Sequence, residues 1–171
     1  MRHTRRTTYM HELTPDQQAT LDRRRAGFDQ YLEERMPLLV EFCDRLELPD
    51  PYRVLNEAEL FIDPIDEWVA RQELHDDADQ DERIWLAVRL AYFLGELLVQ
   101  RFHGCWFVED NPNGRYFGNF VVGRFSHFPN GRVDPSLAIK ELTDQPVGRS
   151  LAALVDEISS ELVELSPTDQ T

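Results

Sequence analysis

Cysteine is scarce: Cys43 and Cys105 are the only two in 171 residues. One pair makes no disulfide framework, and a thiol in a helical pattern and another at a strand start read as buried thiols in a reducing compartment. No staple is needed, because a single domain of this length buries about 70% of its unfolded surface. Apolar runs are short as well. Arg89 and Glu96 cut the longest into pieces well below the roughly 20 residues of a membrane span. Behind the paired arginines of Met1-Arg2-His3-Thr4-Arg5-Arg6 no apolar segment appears before Glu12, so no export signal is read and a cytoplasmic location is expected. A Walker glycine loop, a dinucleotide fingerprint, a nucleophile elbow and a paired zinc-ligand motif are missing too. No cofactor or metal is therefore expected.

What the chain has in excess is acid, with a formal net charge of −14. Its distribution is uneven: residues 57–82 hold 11 acids and one base. Such a field repels nucleic-acid phosphates and anionic membranes, and it attracts a basic surface. A protein partner is expected, with Asp63, Asp66, Glu67, Asp76, Asp77, Asp79, Asp81 and Glu82 as its candidate binding residues. The plainer reading of the last of these is that acids at a helix start complement its dipole, each by about 0.3–1 kcal/mol. Asp77, Asp79 and Asp81 also mimic positions 1, 3 and 5 of a calcium-binding loop. The mimicry ends there, with Glu82 where glycine belongs and Val88 where the closing glutamate belongs.

The stretch 81–107, DERIWLAVRLAYFLGELLVQRFHGCWF, organises the fold. Glu82, Arg89, Glu96 and His103 recur every seven residues and leave one polar stripe on an otherwise apolar helix of about 81–103. Such a helix is expected in the middle of a packed domain. Gly95 suggests a close backbone approach, and Gly104 a left-handed cap. Strands are expected over Cys105–Glu109, Tyr116–Val122 and Phe125–Phe128, an antiparallel meander within about 105–128. Its turns carry a repeated tetrapeptide, Pro112-Asn113-Gly114-Arg115 and Pro129-Asn130-Gly131-Arg132, suited to a type I turn closed by a glycine bulge.

Around this unit, Thr14-Pro15-Asp16-Gln17 predicts a capped helix reaching about Arg35, with Pro37 kinking or restarting it. Arg23-Arg24-Arg25 within it reads as a solvated face, paired with neighbouring acids, before it reads as a nucleic-acid patch. Two short helices follow between Tyr52 and Leu74, the second with Asp63 as cap and Pro64 first. Asp134-Pro135 and Ser150-Leu151 open two more, reaching about Leu142 and Leu165. The fold class is therefore α+β: one domain over 1–171, helices around the central one, and flexible tails over 1–12 and 166–171.

For catalysis the best candidates are His103 beside Cys105, with His127 on a nearby strand and Trp106 as a wall. Two residues flanking a glycine turn rarely face one another, and no fourth ligand stands at metal spacing. From Leu94-Gly95-Glu96 through Gly104-Cys105-Trp106 and Gly131-Arg132-Val133-Asp134-Pro135 to Ser150-Leu151, about residues 83–160, the order resembles a diffuse group of small bacterial proteins. Some members of that group are immunity partners of toxins. The resemblance implies a cytoplasmic, non-enzymatic binding protein and carries no catalytic residue across. The leading expectation is thus an acidic immunity protein that occludes a toxin. The alternatives are a small enzyme at His103, Cys105 and His127, or an acidic nucleic-acid mimic that binds a DNA-binding protein. Oligomeric state is left open.

Overall fold

The computed structural model describes residues 12–72 and 79–165. Over these residues the protein is α+β, with five α-helices and one three-stranded antiparallel sheet. The expected tails lie almost wholly outside that range.

Helix α1 (Pro15–Arg45) opens on a complete capping box. The Thr14 hydroxyl accepts from the Gln17 amide at 3.2 Å, and the Gln17 side chain accepts from the Thr14 amide at 2.9 Å. The expected end near Arg35 is not there, because Pro37 sits inside a continuous helix. Proline cannot donate to the carbonyl four residues back. Leu39, Phe42 and Cys43, buried just beyond it, hold the helix in place.

Two 3₁₀ turns, Pro51–Leu55 and Ala58–Phe61, lead into α2 (Ile62–Ala70). Asp63 is not the cap of α2; Phe61 takes that position, and Asp63 and Pro64 fall in the first turn. Proline is tolerated there because the first amides of a helix have no intrahelical acceptor. Gln100 of the following helix ties the two turns together. Its side-chain oxygen accepts from the Ala58 amide at 2.8 Å, and its side-chain nitrogen donates to the Val54 carbonyl at 3.1 Å.

Helix α3 (Gln80–Phe102) buries Leu86 and every residue from Leu90 to Leu98. It is not enclosed along its whole length, since Ile84 and Val88 are exposed. Two members of the polar stripe point at α1, Arg89 pairing with Glu41 at 3.7 Å and Glu96 with Arg35 at 2.6 Å, while Glu82 and His103 are exposed. What meets Gly95 is a side chain and not a backbone, for a Cβ at Gly95 would lie 1.8 Å from Cζ2 of Trp106. The left-handed residue ending the helix is His103, φ 54°, and not Gly104. Gly104 is needed for a different reason: a Cβ there would sit 2.5 Å from the Phe125 ring and 2.7 Å from the Gly123 carbonyl.

The strands are β1 (Cys105–Val108), β2 (Phe120–Gly123) and β3 (Arg132–Val133), in the order β1-β2-β3. Trp106 faces Val122 in the first pair and Val122 faces Val133 in the second. The meander is there, but its third strand is not Phe125–Phe128. Those residues form a loop whose Phe125 and Phe128 rings pack on Phe102 at 5.9 and 5.7 Å. Both tetrapeptides do form turns, with Gly114 donating to Asn111 and Gly131 to Phe128, each at 2.9 Å. The glycine bulge does not follow; positive φ occurs at Gly118 and Arg124 instead. Helices α4 (Pro135–Thr143) and α5 (Leu151–Glu164) carry the expected caps, with Asp134 accepting from Leu137 at 3.1 Å and Ser150 from Ala153 at 3.0 Å. Among the described residues no helix is long and apolar enough to cross a membrane.

Candidate interaction surface

Where the end of α1, the end of α2 and the first turns of α3 meet, they leave a cleft of about 420 Å³. Trp68 and Trp85 supply its aromatic lining, with Leu46 and Leu86 beside them, and Arg45, Gln72, Asp81 and Glu82 complete it. Phe42, fully buried, holds both indoles edge-on from below, at 6.0 Å from Trp68 and 5.7 Å from Trp85. Two guanidinium groups, those of Arg45 and Arg89, each lie 4.4 Å from the Trp85 ring centroid. Arg89 Nε is buried with no hydrogen-bond acceptor among the described residues, and the face of Trp85 offsets part of that loss. Burial pushes the Arg89 guanidinium down from its ordinary value, against the pull of Glu41.

The acids of residues 57–82 divide into two groups. Asp66 is turned inward onto the start of α5, accepting from the amides of Leu151 at 2.5 Å and Ala152 at 3.2 Å and lying 3.3 Å from the Ser150 hydroxyl. Glu59 takes a two-pronged grip from Arg101, at 2.5 and 2.7 Å, which holds its carboxyl below the usual range. Glu57 pairs with Arg53, and Glu67, exposed, with Arg71 at 3.6 Å. Asp79 caps α3 by accepting from the Asp81 amide at 3.0 Å. That leaves Asp63, Asp81 and Glu82, all exposed, with side chains engaged by no hydrogen bond or ion pair among the described residues. Asp81 and Glu82 are the two that border the cleft. Glu73, Asp76 and Asp77, the last of them the first position of the calcium-like spacing, lie outside the described residues. Among the described residues no group of three His, Cys, Asp or Glu is placed to hold a metal ion.

The other candidates are dispersed. His103, Cys105 and His127 are each exposed, on the end of α3, the start of β1 and the loop after β2. No hydrogen bond links them, and the expected burial of Cys105 is not seen, although Cys43 is buried. Trp106 is no wall of a cleft: it is buried against Gly95 and donates to Glu96 at 3.1 Å. The arginine run does not pair with its own helix. Arg24 donates to the Gly118 carbonyl at 2.8 Å and covers Phe120, while Arg25 reaches Asp110 at 3.2 Å.

Sequence reasoning named the acids and missed the aromatic cleft between them. One signal was available, for Trp85 and Arg89 stand four apart on one helix face, the spacing at which helical side chains touch. Trp68 and Arg45 come from two other helices, and no local pattern brings them in. No family model, curated protein or solved structure matches the chain.

Proposed function

We propose that the chain is an acidic protein-binding module acting as the immunity partner of a toxin, and that its partner seats a basic segment across the cleft at Trp68 and Trp85. The observation that supports this most is the pairing of an aromatic-lined cleft with the uncommitted carboxylates of Asp81 and Glu82. Binding energy at protein interfaces concentrates in Trp, Tyr and Arg side chains set in pockets, and charge at the rim speeds encounter. Here Trp68, Trp85 and Arg45 supply the first element, and Asp81 and Glu82 the second. Asp63 and Glu67 on the outer side of α2 extend the acidic field. Asp66 does not belong to this surface, because its carboxylate is engaged with α5. The immunity role rests on the resemblance over residues 83–160.

The partner to test is the protein encoded beside this chain, purified in an inactivated form. Association followed by tryptophan fluorescence in stopped flow should be several-fold slower for Asp81→Asn/Glu82→Gln at low salt. The difference should shrink as salt screens the field over about 8 Å. Equal rates for wild type and variant at low salt would remove the cleft from the interface.

A further inference from the structure

A second concavity, of about 480 Å³, lies between α1, the start of β2 and α4, and it contains both Arg24 and Lys140, the only lysine of this acidic chain. Its polar groups are mostly donors with capacity to spare. Arg24 uses Nε on the Gly118 carbonyl and lays its guanidinium 4.1 Å above the Phe120 ring, while its two terminal nitrogens meet no acceptor among the described residues. Lys140 has three protons to donate and a single partner, the exposed Asp144 at 3.0 Å. Tyr31 and Ser136 add two hydroxyls that are hydrogen-bonded to each other, so the pair keeps one proton to donate. Burial, with Tyr92 alongside, raises the Tyr31 hydroxyl above its ordinary value, so it remains a neutral donor.

Asp134 is the one carboxylate in the lining, and both its oxygens are taken. One accepts from the Leu137 amide at 3.1 Å, the other from the Asn119 side chain at 2.7 Å. The start of α4 is thereby capped and adds nothing to the argument. What faces the space is two cations and one spare hydroxyl proton against the single charge of Asp134, with Phe120 and Leu137 as apolar walls. A ligand that satisfies this set must bring acceptors and negative charge. The long-range field of a chain at −14 opposes every anion, and opposes a polyanion far more than a small one.

We infer that this concavity binds a small oxyanion, a phosphate or carboxylate group, between Arg24 and Lys140, with the hydrogen-bonded Tyr31–Ser136 pair donating its one spare proton to it. The full chain is titrated with sodium phosphate and, separately, with sodium acetate, at ionic strength held constant by chloride, and followed by amide chemical shifts. Saturating shifts at Asn119, Phe120 and Leu137 with a millimolar dissociation constant are expected. Tighter binding of phosphate assigns the ligand to the phosphates, and tighter binding of acetate to the carboxylates. Lys140→Gln removes an exposed side chain without touching the core and should weaken binding at least about fivefold, a loss of about 1 kcal/mol. Arg24→Gln should weaken it further. Linear, unsaturating shifts with both anions, or undiminished binding by folded Lys140→Gln, overturns the proposal.

Discussion

One oxygen of Glu96 accepts from two partners: Nε of Arg35 on α1 at 2.6 Å and Nε1 of Trp106 on β1 at 3.1 Å. A single carboxylate on α3, almost wholly withdrawn from water, thus joins a helix and a strand, and its partner Arg35 is itself mostly buried. Removing one member of such a pair strands the other. Glu96→Leu should lower stability by about 3–5 kcal/mol in urea unfolding, and Arg35→Met with Glu96→Leu should recover most of it. A double variant no more stable than the single one would show that the carboxylate acts by shape and not by charge.

Gly95→Ala tests how closely β1 sits on α3. Helix propensity alone favours alanine by about 1 kcal/mol. The new methyl, however, would meet the Trp106 ring at 1.8 Å, well inside contact distance. Overpacking of this kind costs about 1–3 kcal/mol, so the melting temperature should fall despite the better propensity. Trp106→Leu in the same chain should make the alanine less harmful than it is opposite tryptophan.

Asp66 and its neighbours should respond differently to neutralisation. Asp66→Ala deprives the first amides of α5 of their acceptor and should cost about 1–2 kcal/mol in thermal or urea unfolding. Asp63→Asn and Glu67→Gln, both exposed, should stay within about 0.5 kcal/mol. Equal effects at all three positions would mean that the contact to Leu151 contributes nothing.

The two thiols should separate cleanly in a thiol-reagent assay. Cys105 is exposed and should react in the folded protein, while Cys43 should react only on unfolding. Burial pushes the Cys43 thiol up to about 12 from an ordinary value of 9.0, so in the window between them the unfolded chain loses its proton first. Stability should therefore fall as pH rises from about 9 toward about 12, and Cys43→Ala should reduce that slope. Tyr31 and Tyr92, also raised by burial, add to the slope in the same direction. Cys105→Ser, in contrast, should leave biological activity and partner binding unchanged; loss of activity in a folded variant that still binds its partner normally would revive the catalytic alternative.

What could be read from the sequence was mostly local. The Thr14–Gln17 capping box, the Asp134 and Ser150 caps, the long apolar helix and both Pro-Asn-Gly turns depend on residues within four positions of one another, and all are present. The third strand was misplaced because Phe125 and Phe128 have the bulk of a strand, yet here they pack as rings against Phe102. Pro37 misled in the opposite direction, since tertiary burial overrode the local penalty. At the candidate surface, counting acids located the segment but not the direction of each carboxylate. Asp66 meets Leu151 across 85 positions of sequence, and the charge sum is blind to that contact.

Gln100 behaves as a borrowed peptide unit. Its amide presents one donor and one acceptor to Val54 and Ala58, the same pair that a neighbouring length of backbone would present. Short 3₁₀ turns fray quickly when left alone, and their amides exchange with solvent accordingly. Bound through Gln100, the Ala58 amide should open only when α3 opens, and its exchange rate should report on the helix and not on the loop that carries it. Shortening the side chain to asparagine, or exchanging its nitrogen for oxygen as in glutamate, would release the turns to their own faster clock.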